Sequence, residues 1–436
     1  MNTISTTVNR YRKSEFVRNV FTVFSGVSFA QIIPFFVSPI LTRLYSPTDF
    51  ALFGLFTSTA MFFGNIATLQ YDKAIMLPEE IEDAVNVMVL SLISVLVMTS
   101  ISAIVVILLN KFLLDLMGNQ SMRIWLYLVP ISVFLGGIFR TLNMWASRIK
   151  AFKRVAARNI SQTTVGAGSK LIFGFLRYTS GGLIIGSLLG QSFSTALLVA
   201  QTMKDEIHRK YLSFQGMRIN AIKYKDFPLF TNWQGFSDMV NTTGSRYIIS
   251  NIFGATVLGL FSFTFGILQK PLQVIGYSIS QVFFQKIADN YNKNKNVWPL
   301  IKKILTRLLF VGAMIFIPIF LFGPKIFQFV FGESWRGAGI YARLLVPWLF
   351  AKFVISPISS IPLVLKKQKQ FVIYSLILNI YVPISIFTFG IVTNNFQVAL
   401  LISSIGVMFY LVALMFWFKR ILKNANYTDI GINNEI

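Results

Sequence analysis

The sequence predicts an all-α polytopic membrane protein, and three observations support this fold class. Of its 436 residues, 54% are hydrophobic, although the chain carries a formal net charge of +24. The apolar residues form runs of about 20, the length at which a helix crosses a bilayer core of roughly 30 Å. Because hydrocarbon offers the backbone no hydrogen-bond partners, such runs must be helical. The sequence lacks the short alternating segments that are typical of a membrane barrel.

Twelve runs qualify as transmembrane spans, and the cations between them predict their orientation. The spans are 16–41, 50–70, 86–109, 122–144, 161–178, 182–203, 227–251, 257–279, 301–322, 338–362, 371–390 and 396–418. Every second gap is basic, and 26 of the 40 Lys and Arg lie in 1–15, 71–85, 145–160, 204–226, 280–303, 363–370 and 419–436. Short basic loops stay in the cytoplasm. Both termini are therefore predicted to be cytoplasmic.

The longest polar insert falls near the middle of the chain and divides the spans into six and six. We predict a six-helix lobe at 1–203, a cytoplasmic inter-lobe loop at 204–226, a second six-helix lobe at 227–418 and a cytoplasmic tail at 419–436. A weak internal repeat supports a duplication, because 42–50 leads into span 2 as 251–257 leads into span 8. In many transporters the substrate path lies between two such halves.

Polar residues at helical spacing mark spans 4, 5, 7 and 8. Small, hydroxyl and amide side chains of this kind often pack helices together. That interpretation fits the four cations within these stripes less well, because a buried cation needs an anion. Asp238 is the acidic residue that lies well inside a span, so at most one of the cations can pair with it. The cations are Arg140, Lys170, Arg246 and Lys270.

A surplus of cations facing a cavity predicts an anionic guest. A diphosphate is suitable, since Arg binds phosphate oxygens in bidentate fashion and Lys supplies a point charge. Asp238 could serve a coupling ion or pair with Arg246. The chain has no cysteine and one histidine, His208 in a predicted loop, so we predict no catalytic residue, no metal site and no cofactor.

Four segments in chain order resemble Wzx-type polysaccharide flippases. They are Arg-Leu-Tyr-Ser-Pro-Thr-Asp-Phe at 43–50, Ala-Thr-Leu-Gln-Tyr-Asp-Lys-Ala-Ile-Met-Leu-Pro at 67–78, Leu-Gln-Val-Ile-Gly-Tyr-Ser-Ile-Ser-Gln-Val-Phe-Phe at 272–284, and Phe-Gly-Glu-Ser-Trp at 331–335 followed by Ala338-Gly339 and Pro347-Trp348. Gln70-Tyr71-Asp72 stands where that family typically has Arg-Tyr-Glu, and this departure transfers no role to Asp72.

The resemblance implies membership of the multidrug/oligosaccharidyl-lipid/polysaccharide exporter superfamily, with two six-helix lobes around a central cavity. It implies a non-enzymatic flippase in the bacterial inner membrane. The substrate would be an undecaprenyl-diphosphate-linked oligosaccharide repeat unit, moved to the outer leaflet by alternating access for O-antigen or capsule synthesis. Implied partners are membrane lipids, a polysaccharide polymerase and chain-length machinery, but no nucleic acid. In this scheme the four cations hold the diphosphate, and five amides contact sugar: Gln234, Asn241, Gln269, Gln273 and Asn143.

Two alternatives remain at the level of sequence. A membrane polysaccharide polymerase or lipid-linked glycosyltransferase would need positioned acids, bases or metal ligands. The longest outer loop here, 323–337, offers only Glu333 and Arg336. A drug or cation exporter of the same superfamily would favour several carboxylates within the spans, whereas this sequence favours cations.

Overall fold

The computed structural model describes residues 31, 33–205, 211–292, 297–365 and 367–431. Within these ranges it describes the backbone alone for 230–234, 271, 273–286, 288–292, 363 and 424–431. Almost every described residue is helical, and no strand occurs among them. The all-α polytopic fold class is confirmed.

Two compact units make up the chain, Met1–Met239 and Val240–Ile436. The described helices of unit 1 are α1 (Ile33–Leu44), α2 (Pro47–Ile66), α3 (Tyr71–Ala74), α4 (Ile81–Leu108), α5 (Asn110–Met117), α6 (Arg123–Leu126), α7 (Val129–Arg148), α8 (Phe152–Phe175), α9 (Thr179–Thr202), α10 (Phe214–Lys223) and α11 (Asn232–Met239). Those of unit 2 are α12 (Ser245–Asn292), α13 (Trp298–Phe331), α14 (Arg336–Ile355), α15 (Ile361–Val364), α16 (Gln368–Thr393) and α17 (Phe396–Gly431).

Eight helical stretches in the described ranges are long and apolar enough to cross a bilayer, and α6 with α7 forms a ninth if this pair, bent by 48°, is one span. Predicted span 161–178 overlaps α8, which is not among these eight. Predicted spans 227–251 and 257–279 share the helical stretch Gly235–Lys270. Gly254 separates two helices within that stretch, in the gap at 252–256 that the sequence predicts between the two spans. Its φ of 85 and ψ of 173 form a conformation that glycine tolerates. Predicted span 16–41 lies largely outside the described residues.

Local sequence accounts for where the helices begin and how they pack. Ser46 and Asp49 form a reciprocal capping box at the start of α2, and Pro47 takes the first helical position. Glycines allow α8 and α9 to approach closely. A Cβ on Gly190 would lie 2.6 Å from the carbonyl oxygen of Gln162, so only glycine fits there.

The predicted inter-lobe loop contains helix α10, which is tied to the start of α4. Asn86 Nδ2 donates to the Tyr211 carbonyl at 2.9 Å, and Asn220 Nδ2 donates to Asp83 Oδ1 at 2.8 Å. These bonds place α10 in unit 1, which continues to Met239. The lobe boundaries at 203 and 227 remain predictions.

Candidate functional site

The guanidinium of Arg140, on α7, contacts the C-terminal end of α2. Its Nη1 donates to the carbonyl oxygens of Gly64 and Asn65 at 3.0 and 3.2 Å, and its Nη2 lies 3.5 Å from Asp72 Oδ2. The last carbonyls of a helix have no partner within the helix and carry a partial negative charge. The Arg140 guanidinium satisfies two of them and one carboxylate, while its side chain keeps 27% of its exposure.

Asp72 is the partner that the sequence analysis did not assign to Arg140. It was overlooked because it follows span 2 in the chain and was counted outside the membrane. Its side chain is 5% exposed, and its Oδ1 accepts a hydrogen bond from Thr68 Oγ1 at 2.7 Å. The expectation that Arg140 lacks a carboxylate is therefore wrong for this structure, because the chain turns back after α2 and returns Asp72 to α7.

The turn that returns Asp72 is strained and holds unpaired polar atoms. Leu69 and Gln70 have φ of 46 and 62, the left-handed region that side chains with a Cβ rarely adopt. Gln70 Nε2 donates to the Asn65 carbonyl at 2.9 Å. Gln70 Oε1 and Asn65 Nδ2 are buried without a hydrogen-bond partner among the described residues. Such atoms need an explanation, and a ligand or water at this end of α2 would provide one.

Lys73 adds a further charge beside the pair. Partial burial lowers the pKa of the Lys73 ammonium, the Asp72 carboxylate opposes this shift, and the Arg140 guanidinium adds to it. Arg148, two turns beyond Arg140 on α7, donates to the Ile75 carbonyl at 3.0 Å. Two arginines of α7 thus hold the segment between α2 and α4, residues 67–80.

Lys170 lies at a different height in unit 1. Its Nζ is 4.5 Å from the centroid of the Phe53 ring, and its backbone carbonyl accepts a hydrogen bond from Tyr45 at 2.7 Å. Phe53 and Gly64 are eleven residues apart on α2, about 16 Å along the helix axis. The contacts of Lys170 and Arg140 on α2 are therefore too far apart for the two cations to bind the same diphosphate in this structure. Asn143, one turn from Arg140, is half-buried.

Arg158 on α8 is a buried cation that the sequence analysis assigned to a basic cytoplasmic segment. It is 5% exposed and lies over the Phe139 ring, 2.8 Å from the centroid. The signal that could have found it is the spacing by four along α8. Arg158 extends by one turn the stripe formed by Gln162, Gly166 and Lys170.

The candidate residues of unit 2 form one observed contact. Asn241 Nδ2 donates to Asn379 Oδ1 on α16 at 3.0 Å, and Asn379 is 8% exposed. Arg246 lies eight residues before the break at Gly254, and Lys270 lies sixteen after it, so they are not neighbours along the chain. Arg246 is half-buried and Lys270 is exposed.

Several other predictions remain open in this unit. Gln269 is half-buried, whereas the side chains of Gln234 and Gln273 lie outside those that the structure describes. Asp238 belongs to unit 1 and Arg246 to unit 2, so their pairing stays a prediction. Helix α12 also contains three buried hydroxyls that have no hydrogen-bond partner among the described residues, those of Ser245, Ser250 and Ser262.

Two cations of α14 were missed because the long apolar run around them was treated as a plain span. Arg343 donates from Nη2 to the Leu321 carbonyl at 2.9 Å, and its Nε is buried without a partner among the described residues. Lys352 is half-buried on the same helix. Among the described residues, no group of three or more His, Cys, Asp or Glu could hold a metal ion.

Comparisons with known proteins agree on a family and a fold. A family model described as polysaccharide biosynthesis protein matches residues 40–339. The capsular polysaccharide biosynthesis protein CapF of Staphylococcus aureus is 27% identical over 211 residues, which are 46% of this chain and 52% of CapF. The match thus spans about half the length of this curated relative.

Solved structures show the fold. The lipid II flippase MurJ, in an inward closed conformation, has a TM-score of 0.73 at 15% identity, covering 92% of this chain and 90% of that one. An inward-facing multidrug resistance transporter of the MATE family and MOP superfamily has a TM-score of 0.66 at 14% identity, covering 91% and 96%.

Proposed function

Because this chain belongs to the polysaccharide biosynthesis protein family, and because its fold is that of MurJ and the MATE transporters, we propose that it flips undecaprenyl-diphosphate-linked oligosaccharide repeat units. It moves them from the cytoplasmic to the outer leaflet of a bacterial inner membrane for capsule or O-antigen synthesis. The main support for this proposal is the family match over most of the chain, together with the fold that the chain shares with a flippase. The resemblance to Wzx-type flippases is confirmed.

The cations of the helices support an anionic headgroup. Sugars and a diphosphate are too polar to cross hydrocarbon unaided, and each cation placed at membrane depth is costly unless it serves a partner. In the proposal Arg140, Arg246 and Lys270 contact the diphosphate during transport, with Lys170 at a separate height. Gln234, Asn143, Asn241, Gln269 and Gln273 contact sugar, and Asp238 is the candidate for ion coupling. Alternating access of two six-helix lobes around a central cavity would carry the headgroup across.

Reconstitution in vesicles tests the function directly. A fluorescent lipid-diphosphate oligosaccharide is placed in both leaflets, and a membrane-impermeant quencher reports how fast the protected half becomes accessible. We expect the protein to speed this exchange well above that of empty vesicles. The assay is repeated with proton and sodium gradients, and a gradient dependence that is lost in D238N would assign coupling to Asp238. No acceleration under any gradient contradicts the proposed function.

A cellular assay tests the cations. Alanine variants of Arg140, Arg246 and Lys270 should reduce surface polysaccharide while the protein remains in the membrane. Exposed Lys153 provides a matched control, and K153A should export normally. Normal export by the three single variants and by their combination would contradict this assignment.

An exporter of drugs is the second candidate, because MATE transporters share the fold. It predicts dye extrusion from whole cells, which the proposed flippase does not. A polymerase is distinguished by location, since its loss leaves lipid-linked repeats on the outer leaflet. Loss of a flippase leaves them on the inner leaflet.

The proposed orientation has a convenient test because the chain contains no cysteine. A single cysteine introduced in the predicted cytoplasmic segment, Q215C, should react with an impermeant maleimide only after the cells are opened. S334C, in the predicted outer loop, should react in intact cells. Both positions are exposed. The reverse pattern would place the termini outside.

A further inference from the structure

Arg158 is buried in the α7–α8 region of unit 1 without an observed anionic partner. It is 5% exposed, and within the described part of the chain no carboxylate forms an ion pair with it. Arg154, one turn earlier on α8, differs from Arg158 because it forms an ion pair within the protein. Arg154 Nη1 lies 2.7 Å from Asp205 Oδ1, and Asp205 Oδ2 also accepts from Trp145 Nε1 at 3.2 Å. The available carboxylate is thus engaged by Arg154.

The contacts of Arg158 leave one edge of its guanidinium without a hydrogen-bond partner among the described residues. Its Nη1 donates to the neutral Asn159 Oδ1 at 2.7 Å, and the Phe139 ring covers one face. Its Nε is buried with no acceptor among the described residues. The Nε–Nη2 edge is the edge with which arginine binds phosphate or carboxylate through two parallel hydrogen bonds. Arginine does not relieve burial by losing its proton in proteins.

A guanidinium buried in this way is unfavourable unless an anion completes its environment. The aromatic ring and the single amide offset only a part of the desolvation cost. The surrounding chain favours the approach of an anion, because further cations flank Arg158 on the same helix–helix junction: Arg148, Lys150, Lys153 and Arg154.

We propose that Arg158 binds a phosphate of the lipid-linked diphosphate at the α7–α8 junction, on the side from which the substrate enters. This proposal rests on the proposed function, which supplies a diphosphate carrier on the cytoplasmic side. It adds to the transport path a residue that charge counting assigned to topology. Arg140, whose guanidinium is already engaged by Asp72 and two carbonyls, is a poorer first contact for the substrate.

The test is ligand-induced thermal stabilisation of the purified full chain in detergent. The probes are inorganic diphosphate and farnesyl diphosphate. We expect both to stabilise the wild type, and R158Q to weaken their affinity by about tenfold or more. K153Q removes an exposed cation of the same segment and should change the affinity by less than about twofold. No stabilisation of the wild type, or equal losses in R158Q and K153Q, overturns the proposal.

Stability without ligand separates binding from a structural role. Because R158Q removes a buried charge that no described carboxylate compensates, the ligand-free variant should melt at or above the temperature of the wild type. A marked drop in its melting temperature overturns the proposal. R158K keeps the charge but cannot form the bidentate hydrogen bonds of a guanidinium. It should therefore fold normally and bind diphosphate about tenfold more weakly. Wild-type affinity in R158K also overturns it.

Two further arms identify the source of the phosphate. The protein is also placed in nanodiscs of phosphatidylcholine that contain increasing amounts of phosphatidylglycerol. The loss of diphosphate affinity caused by R158Q should be the same in all of them. A dependence on phosphatidylglycerol without any response to diphosphates assigns Arg158 to membrane lipid and overturns the substrate assignment. If diphosphate binds through Arg158 but vesicles show no flipping, the proposed function fails and the site stands. If R158Q flips the glycolipid as fast as the wild type, the site fails and the function stands.

Discussion

Arg140 and Arg158 are two arginines of the same unit that differ in what surrounds the guanidinium. Arg140 faces the carboxylate of Asp72 and the last carbonyls of α2, so all its contacts carry negative charge. Arg158 faces an aromatic ring and a neutral amide. Arg158 is nevertheless the more deeply buried of the two. Burial alone therefore does not distinguish a cation that the protein itself neutralises from one that it does not, whereas the partners of the two cations do.

The two arginines also differ in which backbone segments of unit 1 they hold in place. Arg140 and Arg148 connect α7 to the segment 67–80, so a change in either affects the course of the chain after α2. Arg158 contacts Phe139 on α7 and its own neighbour Asn159 on α8, and its guanidinium donates to no backbone carbonyl among the described residues. We expect the two residues to behave in opposite ways when the charge is removed.

R140Q should produce the largest loss of stability. It removes the partner of a carboxylate that is 5% exposed and takes one hydrogen-bond donor away from each of two carbonyls at the end of α2. We expect a loss of about 3 kcal/mol, at the low end for a broken buried pair because Arg140 keeps some exposure. Unfolding of the purified protein in detergent measures it. K153Q serves as the control, and wild-type stability in R140Q would show that the pair contributes nothing.

D72N should be the next largest, with a loss of about 2 kcal/mol, because an amide still accepts the Thr68 hydrogen bond but no longer neutralises Arg140. In the D72N/R140Q double variant the two losses should fall short of additivity by about 1–2 kcal/mol. The same unfolding assay completes the cycle. Strict additivity would mean that the 3.5 Å contact is not an energetic interaction.

R158Q provides the contrast. Without ligand it should change the free energy of unfolding by less than about 0.5 kcal/mol, or increase it, because no described carboxylate loses a partner. A loss as large as that of R140Q would place both arginines in one structural class and remove the distinction.

The sequence predicted the fold class and most of the span positions because both follow from the lengths of apolar runs. It also predicted polar stripes from α-helical spacing, although π-helical turns at Phe227–Thr231 and Val240–Gly244 interrupt that spacing in span 7. Asn241, which the sequence assigns to sugar contact, donates to Asn379 in the structure, and the sugar contact stays a prediction. Asn379 itself, a lone amide in an apolar run, gave no signal.

Partner choice could not be predicted from the sequence. Asp72 follows a span in the chain, yet two left-handed residues return it to α7, and no periodic pattern encodes such a turn. Arg158 lies in a segment with four other cations, and it is buried against Phe139 of α7. Charge counting predicts topology from whole segments, so it cannot identify the member of a basic segment that turns inward.

Lys170 gives a small expected effect and shows whether cations over rings form one class. Its ammonium lies 4.5 Å from the Phe53 ring, and the residue is half-buried. F53L keeps most of the apolar volume and removes the ring, so we expect a loss of about 0.5–1 kcal/mol. F139L, below Arg158, is the matched variant and should cost a similar amount. Unfolding in detergent measures both. A loss above about 2 kcal/mol in F53L alone would place Lys170 with Arg140, as a cation whose contact supports the helix packing of unit 1.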